Sequence, residues 1–547
     1  MRLSRPNLRQ TLLFLASWAL FDVVLNLRYP GEEPPLWYLL PSVDVVLMFG
    51  YFVLFANAGR KVPPLARGAL VVWLFVVRAL RIGDGLQEAF FGQPFHFASD
   101  VALLPELARF LYSTLPWWKL GLSVVLGLCA VSALAYALYR GLDYAEDYLR
   151  EPSHRLVALG VAALAFSLTY AIGRPPGFGR LFWKGFAASS GVRLKSELEF
   201  SFNVLNGRAR FASTIDATQR QLERAPHDLK KLGGRNVLLF LVESYGETVF
   251  RRPSFVSATR ELYDGFEAEL GARGFSMATA VLASSTYGGR SWLANATLST
   301  GVKTSGQLEF SLVLAKKPKA IAKFFEAAGY RTVLVQPGTT RPWPKGAFYG
   351  FDQRYYAWDF DYAGPAFGWA TMPDQYVIDF VHRREVSAHP SSLFVQFVLV
   401  SSHAPWSVQP QLVPDWSTLQ NGALFNQLEP VKYPIEWPKF QNAGDAYIRS
   451  IDYDLVLLEQ YLRDNVKDDS LVIILGDHQP VADVNDHSES RGVPVHVLCR
   501  DEELLRSFYA RGYRRGMRPG PPQARLPGLE TFLPNFLVDF SSAPVGG

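Results

Sequence analysis

A run of six apolar residues, Val237–Val242, ends at Glu243, and Gly246 follows shortly after it in the sequence. Such a run, bounded by turn residues, is typical of a strand buried on both faces of a parallel sheet. A second apolar run, Leu471–Leu475, ends in the same way, in Gly476-Asp-His478. Because open α/β sheets bind ligands at the carboxyl ends of their strands, the two runs predict a ligand site at one sheet edge.

The remainder of residues 236–547 supports the same fold class. With the two runs above, the apolar runs predict five strands, at 236–242, 331–336, 393–400, 471–475 and 493–499. Amphipathic patterns predict helices at about 256–273, 316–329, 372–384, 440–463 and 501–510. Strands that alternate with helices are typical of an α/β domain with a mostly parallel central sheet. A chain of 547 residues is also long enough for at least two units.

Residues 1–172 have a different composition, rich in Leu, Val, Ala and aromatic residues and poor in charge. Five apolar stretches, each near the length that crosses a bilayer, lie at 11–27, 37–56, 68–84, 119–139 and 155–172. Arg78 and Arg81 interrupt the third stretch, and could reach lipid headgroups or face a polar cavity between helices. We therefore predict an α-helical membrane domain of five transmembrane helices.

The distribution of basic residues predicts the orientation of these helices. Arg2, Arg5 and Arg9 precede the first stretch, and Arg60 with Lys61 falls on the same side if the helices alternate. Since lysine and arginine favour the cytoplasmic side, five helices place everything after residue 172 outside. The chain then divides into a transmembrane domain (1–172), a polar, partly helical linker arm (173–235) and an extracytoplasmic domain (236–547).

Charge and cysteine content exclude two other classes of function. The formal net charge is only +5, without a basic stripe, so we expect no nucleic-acid partner. Cys129 and Cys499 are the only cysteines and lie far apart in the sequence, so we expect neither a disulfide nor a cysteine zinc cluster.

The residues at the two strand ends point to a metal. Glu243, Asp477 and His478 offer two carboxylates and an imidazole, a set that suits manganese, magnesium or zinc. Any one of them alone would more often be a capping or surface residue, but two apolar strands that both end in ligand-type residues favour a shared site.

A hydroxyl-rich turn between these strands offers a nucleophile. Thr286 is the candidate, because a metal or base can lower the cost of forming its alkoxide and a following helix would favour an anion. Ser284 and Ser285 are rivals, and Thr286 could instead be a simple helix cap. Arg290, four residues further on, could hold a phosphate or sulfate oxygen.

Two more groups follow predicted strands. His403 comes directly after the strand at 393–400, where it could bind an anionic oxygen or protonate a leaving group. Trp343 and Lys345 could offer an indole and a cation to a headgroup, although a plain surface loop would explain both residues equally well.

Together these features resemble the lipoteichoic acid synthases and the related phosphoglycerol and phosphoethanolamine transferases of the alkaline phosphatase/sulfatase superfamily. The resemblance rests on Val242-Glu-Ser-Tyr-Gly246 and Gly476-Asp-His478, placed after five apolar stretches and an arm. It implies one divalent ion, Mn²⁺ or Mg²⁺ with Zn²⁺ as an alternative, and the following ligands: Glu243, Thr286, Asp477 and His478. It also implies Thr286 as nucleophile assisted by Arg290, and a substrate-binding set of His403, Trp343 and Lys345.

The resemblance further implies an activity and a location. The enzyme would move a phospholipid headgroup through a phosphothreonine intermediate to an envelope glycan or glycolipid, from the bacterial cell membrane, with its catalytic domain periplasmic or extracellular. The segment Phe90–Leu111 resembles the lipid-side segment of the family. Water as acceptor would give a phosphodiesterase or sulfuric-ester hydrolase instead, although a threonine in place of a formylglycine precursor argues against ordinary sulfate hydrolysis. A non-catalytic binding protein is a third hypothesis.

Overall fold

The computed structural model describes residues 7–27, 42–91, 94–101, 117–172, 190–389, 392–435, 440, 442–466 and 470–542. The chain separates into two units, one of residues 1–89 with 93–205 and the other of residues 90–92 with 206–547. The boundary near residue 205 falls within the predicted linker arm. The predicted division at residues 172 and 235 stays a prediction.

The first unit is helical throughout its described part. Its helices, together with the long helix that contains the unit boundary, are Leu8–Asn26, Val43–Asn57, Pro64–Phe91, Phe97–Asp100, Trp117–Arg150, Pro152–Ile172 and Ser190–Arg224. Each of the five predicted membrane stretches overlaps one of these helices, although the start of the second, at 37–41, lies outside the described residues.

Within the described residues, two helices are long and apolar enough to cross a membrane, Leu8–Asn26 and Trp117–Arg150. A third, Val43–Asn57, is apolar but shorter. The structure therefore supports an apolar helical N-terminal region, and five crossings stay a prediction. Most of the predicted lipid-side segment, Phe90–Leu111, lies outside the described residues.

Arg78 and Arg81 contact protein rather than an open surface. Arg78 donates to the carbonyl of Leu27, and Nε of Arg81 donates to the carbonyl of Leu25 at 3.1 Å. These carbonyls lie at the C-terminal end of the helix Leu8–Asn26, where the last carbonyls lack partners within the helix. Positive charge is also favourable there, so both arginines join two helices of the first unit.

The second unit contains a twisted sheet of eight strands in the order β10-β2-β9-β8-β1-β5-β3-β4. The five strands from β8 to β4 run parallel, and β9, β2 and β10 join antiparallel at one side, which confirms a mostly parallel sheet. A separate pair, β6 and β7, is antiparallel. The strands are β1 Val237–Val242, β2 Ser276–Ala283, β3 Arg331–Gln336, β4 Gln353–Tyr356, β5 Leu393–Val398, β6 Val408–Gln409, β7 Val431–Lys432, β8 Leu471–Gly476, β9 Gly492–Cys499 and β10 Arg514–Arg515.

Helices cover both faces of this sheet. They are Pro253–Ala258, Arg260–Gly271, Ser291–Thr300, Gln307–Lys316, Ile321–Ala327, Asp374–Val381, Gly444–Asp464, Arg506–Ala510 and Phe532–Phe540. The central strand β1 explains the unbroken apolar run, because its side chains alternate between two separate cores. Leu238 and Phe240 lie in one core, whereas Leu239 and Leu241 lie in the other.

The register of β1 and β8 brings their carboxyl ends together. Val242 pairs with Gly476, so the residues that follow, Glu243 and Asp477, emerge at the same level of the sheet. Gly476 is required here, since a Cβ atom at this position would come within 1.7 Å of the Tyr245 carbonyl oxygen. The approach of the two strand ends therefore depends on the glycine of the Gly-Asp-His motif.

Candidate active site

Glu243, Asp477 and His478 form one buried cluster at the edge of the sheet. One potential ligand atom from each lies within 4.8 Å of the other two, and none of the three residues is more than 5% exposed. Oε1 of Glu243 is 3.1 Å from Nε2 of His478, and Oδ2 of Asp477 is 3.6 Å from the same nitrogen. The structure thus brings together the three side chains that the strand ends predicted.

Backbone contacts fix the orientation of two of these side chains. Oδ1 of Asp477 accepts the N–H groups of Ser244 at 2.8 Å and of His478 at 2.7 Å. Nδ1 of His478 lies 2.7 Å from the Gln479 carbonyl oxygen, to which it must donate. Because that bond fixes the tautomer, Nε2 is the nitrogen that faces the carboxylates and can bind a metal.

The electrostatics of the cluster favour a cation at its centre. Burial alone would raise the pKa of Glu243, but the His478 and His403 rings outweigh burial and hold it below its usual range. Burial and the Glu243 charge raise the pKa of Asp477 to about 7. Burial would lower the pKa of His478, yet Asp477 and Glu243 raise it to about 9. Asp477 and His478 therefore hold protons that a divalent ion would displace, and the donor set of two carboxylates and one imidazole fits Mn²⁺, Mg²⁺ or Zn²⁺.

Ser291 supplies a hydroxyl in direct contact with the cluster. Its Oγ donates to Oε2 of Glu243 at 2.8 Å and lies 3.2 Å from Nε2 of His478. Ser291 is the first residue of the helix Ser291–Thr300, whose N-terminal N–H groups favour an anion. The preceding residue, Arg290, has φ +64°, and Ser244, which follows the cluster glutamate, has φ +58°. Such sparsely populated conformations are concentrated at functional sites.

The predicted hydroxyls make other contacts. Oγ1 of Thr286 donates to the Gly289 carbonyl at 2.6 Å, and Thr286 is buried. Ser284 donates to the Asp477 carbonyl, and Ser285 accepts a hydrogen bond from the Thr297 hydroxyl at 2.9 Å. The roles of Thr286 as nucleophile and as metal ligand stay predictions. Sequence reasoning missed Ser291, although it closes the same hydroxyl-rich turn.

His403 lies near the cluster, because the hydroxyl of its neighbour Ser402 donates to the Glu243 backbone carbonyl at 2.8 Å. Its Nδ1 is 2.6 Å from the Ala404 carbonyl oxygen, so Nδ1 is the donor and Nε2 remains available. The imidazole stacks on the indole of Trp369, with ring centroids 4.8 Å apart and an interplanar angle of 18°. Trp369 is 51% exposed, and no sequence pattern pointed to it.

The other predicted substrate residues lie beside the helix that begins at Ser291. Trp343 is partly buried and packs against a small apolar cluster that contains Leu293 of that helix and Phe310. Lys345 is exposed. A role for Trp343 and Lys345 in headgroup binding stays a prediction.

Comparison with known proteins shows what the second unit is similar to. Residues 236–496 match the family model described as Sulfatase. Among solved structures, the chain is similar to a protein in the alkaline phosphatase superfamily from Vibrio parahaemolyticus, with 16% identity over 49% of this chain and 60% of that chain and a TM-score of 0.33. No curated protein matches the chain.

Two further solved structures are named by activity. The lipoteichoic acid synthase LtaP from Listeria monocytogenes shares 14% identity over 56% of this chain and 75% of that chain, with a TM-score of 0.33. The lipooligosaccharide phosphoethanolamine transferase A (EptA) from Neisseria meningitidis shares 12% identity over 97% of this chain and 95% of that chain, with a TM-score of 0.43. These low sequence identities and TM-scores do not identify the substrate or the acceptor of this chain.

The family match agrees with what the fold and the site show independently. A mostly parallel sheet carries a buried Glu-Asp-His cluster at one edge, and a serine hydroxyl at a helix N-terminus contacts that cluster. The superfamily resemblance predicted from the sequence is therefore confirmed at the level of the Sulfatase family model, which residues 236–496 match.

Proposed function

We propose that this chain is a metal-dependent transferase, anchored in the bacterial cell membrane, that moves a phospholipid headgroup to an envelope glycan or glycolipid. Phosphoglycerol and phosphoethanolamine are the two candidate headgroups. The observation that carries the proposal is the contact of the Ser291 hydroxyl with Glu243 and His478 at a helix N-terminus. A hydroxyl among carboxylates and an imidazole is suited to covalent transfer, because the acceptors beside it can take its proton.

The first half of the reaction follows from these contacts. A divalent ion held by Glu243, Asp477 and His478 would supply Lewis-acid stabilisation of an alkoxide and of charge on the phosphoryl oxygens. Oγ of Ser291 passes its proton to the Glu243 oxygen that accepts its hydrogen bond and forms a bond to phosphorus, while the bond from phosphorus to the diacylglycerol oxygen breaks. That oxygen takes a proton, for which His403 is the candidate donor, and diacylglycerol leaves.

The second half returns the enzyme to its starting state. A hydroxyl of the acceptor gives its proton to His403 and attacks phosphorus, the bond between phosphorus and Oγ of Ser291 breaks, and that oxygen takes back its proton from Glu243. Helix N–H groups behind Ser291 and the Arg290 guanidinium would offset charge on the equatorial oxygens, the main contribution expected in phosphoryl transfer. Thr286, the nucleophile predicted from sequence, is the alternative attacking residue, and it would give a phosphothreonine.

Membrane anchoring suits a lipid donor. The described residues include two helices that are long and apolar enough to cross a bilayer. Tethering the catalytic domain to the membrane that contains its donor raises the effective concentration of that donor. A periplasmic or extracellular location of the domain is part of the proposal.

The deciding experiment follows the headgroup. Purified full-length protein is incubated with headgroup-labelled phosphatidylglycerol or phosphatidylethanolamine, with Mn²⁺ and with envelope glycans. We expect diacylglycerol release and label on the glycan fraction. Free labelled headgroup phosphate at the same rate with and without glycan would instead identify a phosphodiesterase, and no diacylglycerol release from either lipid would contradict the proposal.

The orientation of the chain gives a separate prediction. A phosphatase reporter is active only when it is exported. Fused after residue 235, it is expected to be active, because basic residues place the N-terminus in the cytoplasm and five helices then place residue 235 outside. A fusion after residue 150 serves as the control of opposite orientation. An inactive reporter at residue 235 together with an active reporter at residue 150 would contradict the lipid-donor argument.

Trp369 is expected to affect catalysis through His403. Trp369→Ala should lower kcat/KM by up to about tenfold, since an aromatic stack contributes about 0.5–1.5 kcal/mol and here orients the imidazole. Trp358→Ala is the matched control, because Trp358 is 49% exposed and its ring contacts Tyr356, at an interplanar angle of 42°, rather than His403. Steady-state kinetics of diacylglycerol release measure both variants, and equal losses in the two would contradict a specific role for Trp369.

A further inference from the structure

A short turn after β5, Leu399–His403, joins the candidate proton donor to the metal-ligand cluster. His403 ends the turn, and its neighbour Ser402 donates from Oγ to the backbone carbonyl of Glu243 at 2.8 Å. The turn therefore contacts the backbone of a predicted metal ligand at one end of β1. Whatever holds this turn in place also sets the distance between His403 and Glu243.

The carboxylate of Asp374 holds the turn. Its oxygens accept the N–H of Val400 at 2.9 Å and the N–H of Ser401 at 2.6 Å. The Ser401 hydroxyl in turn accepts the N–H of Asp374 at 3.0 Å. Asp374 is fully buried, so these bonds lie in a region where each lost hydrogen bond would leave a polar group without a partner.

Asp454 faces Asp374 from the middle of the helix Gly444–Asp464. Its carboxyl group faces the Asp374 carboxylate and is in side-chain contact with it. Asp454 is fully buried, and neither of its carboxyl oxygens accepts a hydrogen bond from a donor. An ionised carboxylate in that position would carry a large desolvation cost, and two carboxylates this close do not both ionise.

We propose that Asp454 is a carboxylic acid that donates its proton to Asp374 and thereby positions the turn Leu399–His403 against the metal-ligand strand. Asp454 is a positioning residue, since it acts through Asp374 and not on the substrate. The part of the inference that concerns catalysis rests on the proposed function, whereas the shared proton does not.

The charges around Asp454 agree with a retained proton. Burial, followed by the charge of Asp374, raises the pKa of Asp454 well above its usual range, and the charge of Glu243 acts in the same direction. Tyr453 on the same helix also faces the pair, and burial keeps its hydroxyl neutral by raising its pKa. A raised pKa in the folded state means that the proton stabilises the fold at low pH and that this stability is lost as pH rises.

The test compares three full-length variants in detergent: Asp454→Asn, Asp454→Leu and the control Asp464→Asn. Asparagine keeps an N–H donor of the same shape and cannot ionise, whereas leucine removes the donor that faces Asp374. The control removes a half-exposed carboxylate from the end of the same helix. Thermal unfolding midpoints are measured from pH 6 to pH 9, with metal content and kcat/KM at pH 7.

We expect Asp454→Asn to match the wild type at pH 6 and to lose less stability by pH 9, with the control following the wild type throughout. Asp454→Leu should lower kcat/KM at least tenfold with metal content unchanged, and asparagine should restore the value to within about threefold of wild type. If Asp454→Leu does not fold, the pH dependence of the unfolding midpoint of Asp454→Asn still tests whether Asp454 holds a proton.

Three results would overturn the inference. The first is an unfolding midpoint of Asp454→Asn that follows the wild type at every pH. The second is a kcat/KM of Asp454→Asn as low as that of Asp454→Leu. The third is loss of a second equivalent of bound metal from Asp454→Asn, which would make the pair a cation site. The stability profile requires no substrate, so failure of the proposed function alone would leave that part of the test intact.

Discussion

Ser291→Ala is expected to lower headgroup transfer by at least about a thousandfold, or roughly 4 kcal/mol of barrier. The change removes the hydroxyl that donates to Glu243 at 2.8 Å and contacts His478, and it leaves the three ligand side chains in place. Without that oxygen no covalent intermediate forms at this position. The measurement is the rate of diacylglycerol release from labelled phospholipid, together with metal content, which should be unchanged.

Thr286→Ala is the matched comparison, because both residues belong to the same turn. If Ser291 attacks, Thr286→Ala should cost far less than Ser291→Ala, since the Thr286 hydroxyl bonds a backbone carbonyl. Ser285→Ala should also retain most activity. Quenching during turnover and mapping the labelled peptides then places the phosphate on one residue. Label on Thr286, with normal turnover by Ser291→Ala, would establish the sequence-based assignment instead.

The fold could be predicted largely because its central strands are buried on both faces. β1, β3, β5, β8 and β9 each overlap a run that the sequence marks as apolar. β2 was missed, because Ser276–Ala283 contains small and polar residues, and β9 supplies its pairing from more than 200 positions away. Short β4 similarly depends on β3 for its pairing. Strands stabilised by distant neighbours leave a weak local signal.

Sequence spacing alone does not decide between Thr286 and Ser291 as the nucleophile. Between Thr286 and Ser291 the backbone takes three successive positive φ angles, +65° at Gly288, +144° at Gly289 and +64° at Arg290. These angles reverse the chain and start the helix at Ser291, several residues later than the hydroxyl-rich pattern indicated. Two glycines permit many such paths, so the sequence shows that a hydroxyl reaches the site but not which one.

Other parts of the site depend on contacts between distant segments. The stack of Trp369 on His403 joins residues on either side of the helix Asp374–Val381 and β5. Asp454 lies about 80 positions after Asp374 in the sequence, on an amphipathic helix where it occupies a buried position. Buried polar residues on such a helix break the pattern that identifies its apolar face, and their partners become evident only in the folded chain.

His478→Ala is expected to abolish turnover and to lower metal content at least tenfold at a fixed free-metal concentration. The imidazole is the neutral ligand of the set, and the Gln479 carbonyl orients its Nε2 toward Glu243. Without it, two carboxylates remain, which bind a divalent ion less firmly. His487→Ala is the control, because His487 is a more exposed histidine of the same segment. Full metal occupancy in His478→Ala would show that the ligand set is wrong.

The same cluster predicts how metal binding depends on pH. Asp477, with a pKa of about 7, and His478, with a pKa of about 9, both hold protons in the metal-free protein near neutral pH. A bound ion requires the deprotonated forms, so binding must release protons, and apparent affinity should rise as pH increases from about 6 to 9. Titration of metal into weakly buffered protein measures that release. His478→Ala should release fewer protons than the wild type, and equal release would mean that His478 does not bind the metal.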